Sequence, residues 1–398
     1  MENKNEWRKV KLGGLITYVA RGITPKYSET SNGIIVINQK CIRNEKLNIE
    51  ESRLHADYLK KVSEEKIIKK YDILINSTGV GTLGRVCQNE TDIKMTADSH
   101  ITIVRPDKNK INPLFLGYVL KSQQKFIENL GEGSTGQTEL KRERLINEVE
   151  VNFPLNLKFQ EKIAKVLSDI DSKIELNNKI NDNLEKQAHL IFNNHFFNKN
   201  KNYNNYIFSN LLEIADFLNG LAMQKYTPDK SDEKNFPILK IKELNQGFTD
   251  KSSDRCSSKI KPEYIIKNGD IIFSWSGTLL IKIWCGNKCG LNQHLFKVTS
   301  KKYDKWFYFL WTNYHLKKFI SIAKDKVTTM GHIKRTDLEK SFVLIPPEKE
   351  YKNLNKILTP IFESIISNKK ENNYLKHLKN YLLPKLMNGE INVENIEL

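Results

Sequence analysis

Between Ile163 and Ile191 apolar residues return at alternating steps of four and three: Ile163, Leu167, Ile170, Ile174, Leu184, Ala188 and Ile191. That 3.5-residue period is the seam of a helix that lies along another helix. The two seam positions left over are Asn177 and Asn181. Moved 191 residues along the chain, the same frame reads Leu354, Leu358, Ile361, Ile365, Asn368, Asn372, Leu375, Lys379 and Leu382. Two asparagines therefore fall at the same central places in both copies. An amide in a seam lowers stability but fixes register and partner, because it wants a polar group opposite. A parallel pair would set Asn177 against Asn368 and Asn181 against Asn372. An antiparallel pair would set Asn177 against Asn372 and Asn181 against Asn368. A long stretch of chain separates the copies and leaves room to return, which favours an antiparallel coiled coil.

The rest of the chain also starts over. Residues 1–155 read as a mixed α/β module, with strand-like segments at 33–37, 71–75 and 99–104, a helix at 113–122 and a closing strand at 148–154. Residues 156–197 form the first long helix, and residues 198–204 are a polar linker with nothing to bury. In residues 205–347 Asn219-Gly-Leu-Ala-Met-Gln-Lys-Tyr226 answers Arg21-Gly-Ile-Thr-Pro-Lys-Tyr27. Gly269-Asp-Ile-Ile-Phe-Ser-Trp-Ser-Gly277 answers Tyr71-Asp-Ile-Leu-Ile-Asn-Ser-Thr-Gly79, and Asn292-Gln-His294 answers Asp98-Ser-His100. Residues 348–390 repeat the long helix and 391–398 form a tail. Thr359-Pro360 has the chemistry of an N-cap and first-turn proline, so a start or kink is expected there, with Pro384 as the stop. The expected fold is α+β: two mixed α/β domains, two long helices between and after them, and an internal pseudo-two-fold repeat.

No run of eighteen apolar residues exists in the 398, and the first six residues lack a signal peptide's apolar stretch, so the cytoplasm is the expected compartment. Five cysteines are few and odd in number, which fits reduced thiols; Cys285 and Cys289 lack a second pair at zinc-like spacing. With 64 Lys and Arg against 47 Asp and Glu, the net charge of +17 points to a polyanion, nucleic acid above all.

Catalytic motifs fail one by one. Gly79-Val-Gly-Thr-Leu-Gly84 fits a dinucleotide pattern, but no amphipathic helix follows it. Gly131-Glu-Gly-Ser-Thr-Gly136 follows a helix rather than a strand, and Asn112-Pro-Leu-Phe115 lacks the second proline of an adenine methyltransferase motif. No P-loop and no H-E-x-x-H is present. His100 and His294, at matching places, read as satisfied core histidines. What remains is binding chemistry. The loops mix Lys or Arg with Ser, Thr, Asn and Tyr, as phosphate contacts combined with base-edge hydrogen bonds require. In the first module the candidates are Thr24, Lys26, Tyr27, Asn38, Lys40, Arg43, Ser77, Thr78, Arg85, Thr135 and Gln137. In the second they are Lys225, Tyr226, Lys240, Lys242, Ser274, Ser276, His332 and Lys334.

Module, helix, module, helix resembles the specificity subunit of a type I restriction–modification system over essentially the whole chain. The resemblance rests on Trp7-Arg-Lys-Val-Lys-Leu12, the Gly22-Ile-Thr-Pro25 and Gly79–Gly84 turns, and Pro154 followed by Phe159-Gln-Glu-Lys-Ile-Ala-Lys-Val-Leu167, together with the helical repeat. The family's helix opens Gln-x-x-Ile-Ala; the first copy has it at Gln160 to Ala164, while the second reads Asn353-Leu-Asn-Lys-Ile357. The resemblance implies that each module reads one half of a split double-stranded DNA target. It also implies that the helices act as spacer and dock two adenine methyltransferase subunits, which two motor–nuclease subunits can join. This chain would then carry no catalytic residue, metal or cofactor; the partners would use S-adenosylmethionine, and ATP and Mg for restriction. The 28 steps from Ile163 to Ile191 span roughly 42 Å of helix, comparable to one DNA turn, so half-site centres are expected about one turn apart. Other readings are the specificity chain of a restriction enzyme with a fused nuclease–methyltransferase partner, and a coiled-coil adaptor with no nucleic-acid role.

Overall fold

A computed structural model describes residues 6–133, 138–229, 235–325 and 331–393. The chain divides into two units, Met1–Asp171 with Leu378–Leu398, and Ser172–His377.

The main strands of the first unit are β1 (Trp7–Lys11), β2 (Ile16–Arg21), β3 (Ile34–Ile37), β4 (Arg53–His55), β5 (Ile73–Asn76), β6 (Val86–Gln88), β7 (Met95–Ala97), β8 (Ile101–Pro106) and β9 (Glu150–Pro154). Helix α1 (Pro113–Ser122) stands between β8 and β9, and α2 (Leu157–Phe196) follows. A four-stranded sheet runs in the order β2-β8-β5-β6, a three-stranded one β4-β3-β7, and β1 pairs with β9. The pairings of the first sheet are antiparallel, whereas β3 and β7 run parallel with Ile35 beside Met95. All four residues of β5 are buried. Strand side chains alternate between faces, so Ile73 and Ile75 enter one core with Phe115, Leu116 and Leu167, while Leu74 enters another with Ile37 and Ile103. A strand covered on both faces needs no polar alternation, which explains its continuous apolar run.

The second unit repeats this plan with β10 (Ile207–Asn210), β11 (Asp216–Asn219), β12 (Asn235–Leu239), β13 (Arg255–Ser257), β14 (Ile265–Ile266), β15 (Ile271–Ser274), β16 (Leu280–Ile283), β17 (Cys289–Leu291), β18 (Leu295–Thr299) and β19 (Phe342–Ile345). The sheets run β11-β18-β15-β16 and β13-β12-β17-β14, and β10 pairs with β19. The parallel pairing recurs between β12 and β17, with Ile238 beside Gly290. Helix α3 (Lys305–Asp325) takes the place of α1, and α4 (Glu348–Met387) that of α2.

Helix α2 is capped by Asn156, whose Oδ1 accepts the Lys158 N–H at 2.9 Å. Gln160, fully buried, donates its amide to the Pro154 carbonyl at 2.7 Å and accepts the Asn112 N–H at 2.7 Å, tying the helix start to the end of β9 and to the cap of α1. In the second unit the contact to the start of α3 is made 191 residues on by Tyr351, whose hydroxyl oxygen accepts the Asp304 N–H at 2.9 Å. Tyr351, not the exposed Asn353, takes the place of the Gln in the helix motif. Neither Thr359-Pro360 nor Pro384 bounds α4, which runs through both. Leu354, Leu358, Phe362 and Ile365 are buried on either side of Pro360, so packing outweighs the one backbone hydrogen bond a proline removes. Thr359 donates its hydroxyl to Asn355 Oδ1 at 2.5 Å, which also accepts the Trp306 indole N–H at 2.7 Å.

Within the second unit α2 and α4 run side by side in opposite directions. Asn177 Nδ2 donates to Asn372 Oδ1 at 2.9 Å, and Asn368 Nδ2 donates to Asn181 Oδ1 at 3.0 Å. Asn372 Nδ2 reaches Asn178 Oδ1 at 2.9 Å, and Lys369 pairs with Glu185 at 3.0 Å. In the first unit Lys379 pairs with Asp171 at 2.9 Å, and Asp171 accepts the Tyr118 hydroxyl at 2.8 Å. Ile163, Leu167, Ile170 and Ile174 are buried, as are Leu354, Leu358 and Ile365, while Leu184, Ile361 and Leu375 are partly so.

Candidate nucleic-acid interface

The candidate residues collect at corresponding ends of the two four-stranded sheets. Where β5 ends, the chain passes through Ser77 and Thr78 into the Gly79–Gly84 turn. Gly79, Gly81 and Gly84 have φ of 99°, 70° and 80°, values that side chains resist. The turn closes by Leu83 N–H to Gly79 O at 2.9 Å and leads into strand β6 rather than a helix. Arg85 folds back to the Gly81 carbonyl at 2.8 Å and holds the turn. Where β15 ends, Trp275, Ser276 and Gly277 occupy the same places.

Two further segments meet each strand end. The segment that returns toward the last strand pairs with it: Thr78 bridges Glu139, and Ser276 bridges His332. Leu140 donates to the Ser77 carbonyl at 2.8 Å, and Ile333 to that of Trp275 at 3.0 Å. The turn before β8 or β18 supplies a histidine. Thr78 Oγ1 lies 2.8 Å from His100 Nδ1, and Ser276 Oγ 3.0 Å from His294 Nδ1. Asp98, its carboxyl lifted above the usual range by burial, accepts the His100 N–H at 2.9 Å; Asn292 accepts that of His294 at 3.3 Å. His100 is exposed and His294 half-buried, so neither is a core histidine.

Gly22 and Gly220 carry the next loop of each module past these turns. A Cβ on Gly22 would stand 2.0 Å from the Ala97 carbonyl oxygen, and one on Gly220 2.2 Å from that of Asn292. Beyond them Thr24, Lys26 and Tyr27, and likewise Lys225 and Tyr226, are exposed. Buried His55 fixes the first of these loops: its Nδ1 accepts the Lys26 N–H at 3.0 Å and its Nε2 donates to the Lys60 carbonyl at 2.7 Å.

The remaining candidates divide. Lys40, Arg43 and Lys334 are exposed. Asn38 holds its own loop, accepting the Lys40 N–H at 2.9 Å and donating to the Glu51 carbonyl at 2.8 Å. Lys240 is paired with Asp254, and Lys242 donates to Ser252 at 3.1 Å. Ser77 and Ser274 are corrections, because both are fully buried. Ser77 is bonded to Thr102 at 2.5 Å, and Ser274 donates to the Ser276 carbonyl at 3.2 Å, so each serves its sheet. Thr135 and Gln137 lie outside the described residues. The sequence reading missed Gln39, which donates to Thr78, and Trp275, whose indole N–H reaches Asn219 Oδ1 at 3.0 Å. The repeat itself was the available signal for His100 and His294.

Among the described residues no group of three or more His, Cys, Asp and Glu side chains is placed to hold a metal, and no helix is long and apolar enough to cross a membrane. The five cysteines are buried and free.

Two α/β modules with the same order in their main sheets, each followed by a long helix, define a duplicated scaffold. The family model described as type I restriction modification DNA specificity domain matches residues 4–186 and 203–377, and the chain belongs to that family. It is 29% identical to the type I restriction enzyme MjaIX specificity subunit of Methanocaldococcus jannaschii, over 71% of this chain and 69% of that protein. It is 22% identical to the putative MjaX specificity subunit of the same organism, over 99% of this chain and 95% of that one. The fold is similar to the crystal structure of a type I restriction–modification S subunit from M. genitalium, with TM-score 0.58, 18% identity and 97% of each chain covered.

Proposed function

We propose that this chain is the DNA-reading, non-catalytic subunit of a cytoplasmic type I restriction–modification complex, each module contacting one half of a bipartite double-stranded target. The observation that carries the reading is the duplicated loop surface, built twice on the same strand ends in a chain of net charge +17. Exposed Lys26, Lys40, Arg43, Lys225 and Lys334 suit phosphates, which position a protein on DNA without reading it. Thr24, Tyr27, Tyr226 and His332 supply hydrogen-bonding groups of the kind that reading needs, while the Thr78 and Ser276 hydroxyls are engaged by His100 and His294.

The two helices set the spacing of the half-sites and offer a face to two adenine methyltransferase subunits, with motor–nuclease subunits completing the restricting complex. Leu176, Ile180 and Leu190 on α2, and Ile357 and Tyr374 on α4, are apolar side chains left exposed, which suits docking. S-adenosylmethionine, ATP and Mg belong to the partners.

Exchange of residues 1–155 for the first module of a related chain tests the reading. Mapping methylated adenines should show one half-site changed and the other kept; an unchanged target, or changes in both halves, contradicts it. Affinity should also fall steeply between 50 and 200 mM salt, by roughly a thousandfold for a complex with six or more phosphate contacts. A salt-indifferent chain is an adaptor instead.

A further inference from the structure

Resting on that reading, we propose that His100 and His294 are specificity-determining residues. Each imidazole is held by a hydroxyl of the neighbouring strand end and meets a base edge in its module's half-site, and His100 does so as a hydrogen-bond donor.

The two modules differ in side chain at most positions around this point. Ser77 is answered by Trp275, Ser99 by Gln293 and Glu139 by His332. The hydroxyl–imidazole pair persists through these differences, at 2.8 Å in one module and 3.0 Å in the other. Its backbone frame persists as well: the His100 carbonyl accepts the Ser77 N–H at 2.8 Å, and the His294 carbonyl that of Trp275 at 3.4 Å. Neither ring fills a core, so packing does not account for the pair.

The hydrogen bonds around Thr78 orient the His100 ring. The Gln39 amide nitrogen lies 2.6 Å from both the carbonyl oxygen and Oγ1 of Thr78. A carbonyl only accepts, so the amide N–H₂ is the end that faces Thr78. Of the two groups bonded to the Thr78 hydroxyl the Gln39 amide can only donate, which leaves His100 Nδ1 as the acceptor for the hydroxyl's single hydrogen. With Nδ1 accepting, the ring of this exposed residue carries a hydrogen on Nε2. Such an N–H complements an acceptor in the major groove: N7 of a purine, O6 of guanine or O4 of thymine. The second site is built otherwise. His294 Nε2 lies 3.4 Å from the Gln293 amide, and Trp275 packs beside both His294 and His332, with ring centroids 6.1 and 6.2 Å apart. One scaffold thus presents two different hydrogen-bonding edges, as two different half-sites require.

The test uses the full chain co-expressed with its methyltransferase. His100→Ala should admit other bases at one position of one half-site, lowering discrimination there roughly tenfold or more, and leave the other half-site intact. His294→Ala should do the same in the opposite half. Thr78→Val, which frees the ring without removing it, should relax that same position to a smaller extent. If methylation is lost altogether, the purified complex is assayed against duplexes varied one base pair at a time. One of the positions at which wild type discriminates should become flat in the variant, with the others unchanged. An unchanged methylated sequence, uniform weakening across all duplexes as from a lost phosphate contact, or discrimination retained at every position overturns it. A module exchange that moves a half-site while the histidine variants keep theirs defeats this inference alone; a failed exchange defeats the underlying reading.

Discussion

Asn177 and Asn372 are buried amides that meet each other at 2.9 Å, and Asn177 also donates to Glu371 at 2.7 Å. Removing one amide leaves the other buried with a partner missing, whereas removing both takes away the demand. Asn177→Leu should therefore destabilise the chain by about 1–3 kcal/mol in denaturant unfolding, and Asn177→Leu with Asn372→Leu should recover most of that loss. Equal losses in the single and double variants would show that the amides are not coupled. These partners were legible because the same residue type recurs on one heptad frame in both helices. Gln160 and Tyr351 were not, although they occupy corresponding positions. An amide oxygen and a phenol oxygen accept the same kind of N–H, and residue identity conceals that equivalence. The hydroxyl–imidazole pairs were half legible: the repeat placed His100 and His294 together, but their exposure depends on turns that precede the strands.

At the scale of elements, the junction between α2 and the second module is tied by a small polar cluster. Glu350 accepts from Lys201 at 2.7 Å and from the Tyr206 hydroxyl at 2.6 Å, and Tyr206 also meets His195 at 2.9 Å. Burial, and then the Lys201 charge, hold the His195 ring down at about 4 from its ordinary 6.5, against the pull of Glu350. Below pH 6.5 the unfolded chain takes up a proton that the folded ring refuses. The stability this site contributes is thus complete above about pH 6.5 and declines as pH falls toward 4. At pH 5 the loss should be about 2 kcal/mol relative to pH 7.5. His195→Gln should flatten that part of the profile, measured as urea midpoints across the range; identical slopes in variant and wild type would refute the assignment. The helix that carries Glu350 passes through Pro360, where local propensity alone predicts a boundary. Sequence rules weigh one backbone bond and cannot see four apolar side chains buried around it.

For the whole molecule, duplication is the organising fact, and it was legible first in the helices and then, less sharply, in the modules. The parallel pairings of β3 with β7 and β12 with β17 escaped sequence reading because they join segments far apart in the chain. If the helices are the ruler, one added heptad in each should lengthen it by roughly 10 Å, about three base pairs. Mapping the methylated sequence of the double insertion checks this; an active enzyme with an unchanged gap between half-sites would reject the ruler.

Gly22 and Gly220 carry a consequence for how such a protein can change. Each is pressed against a carbonyl oxygen that no side chain could share, while the residues just beyond, Thr24, Lys26 and Tyr27 or Lys225 and Tyr226, face solvent. Fixed points of the backbone thus border exposed positions. A lineage of such chains can explore new DNA targets by drift at the loop tips without passing through unfolded intermediates, and a laboratory library randomised there, with both glycines held, would sample specificity at little expense in stability.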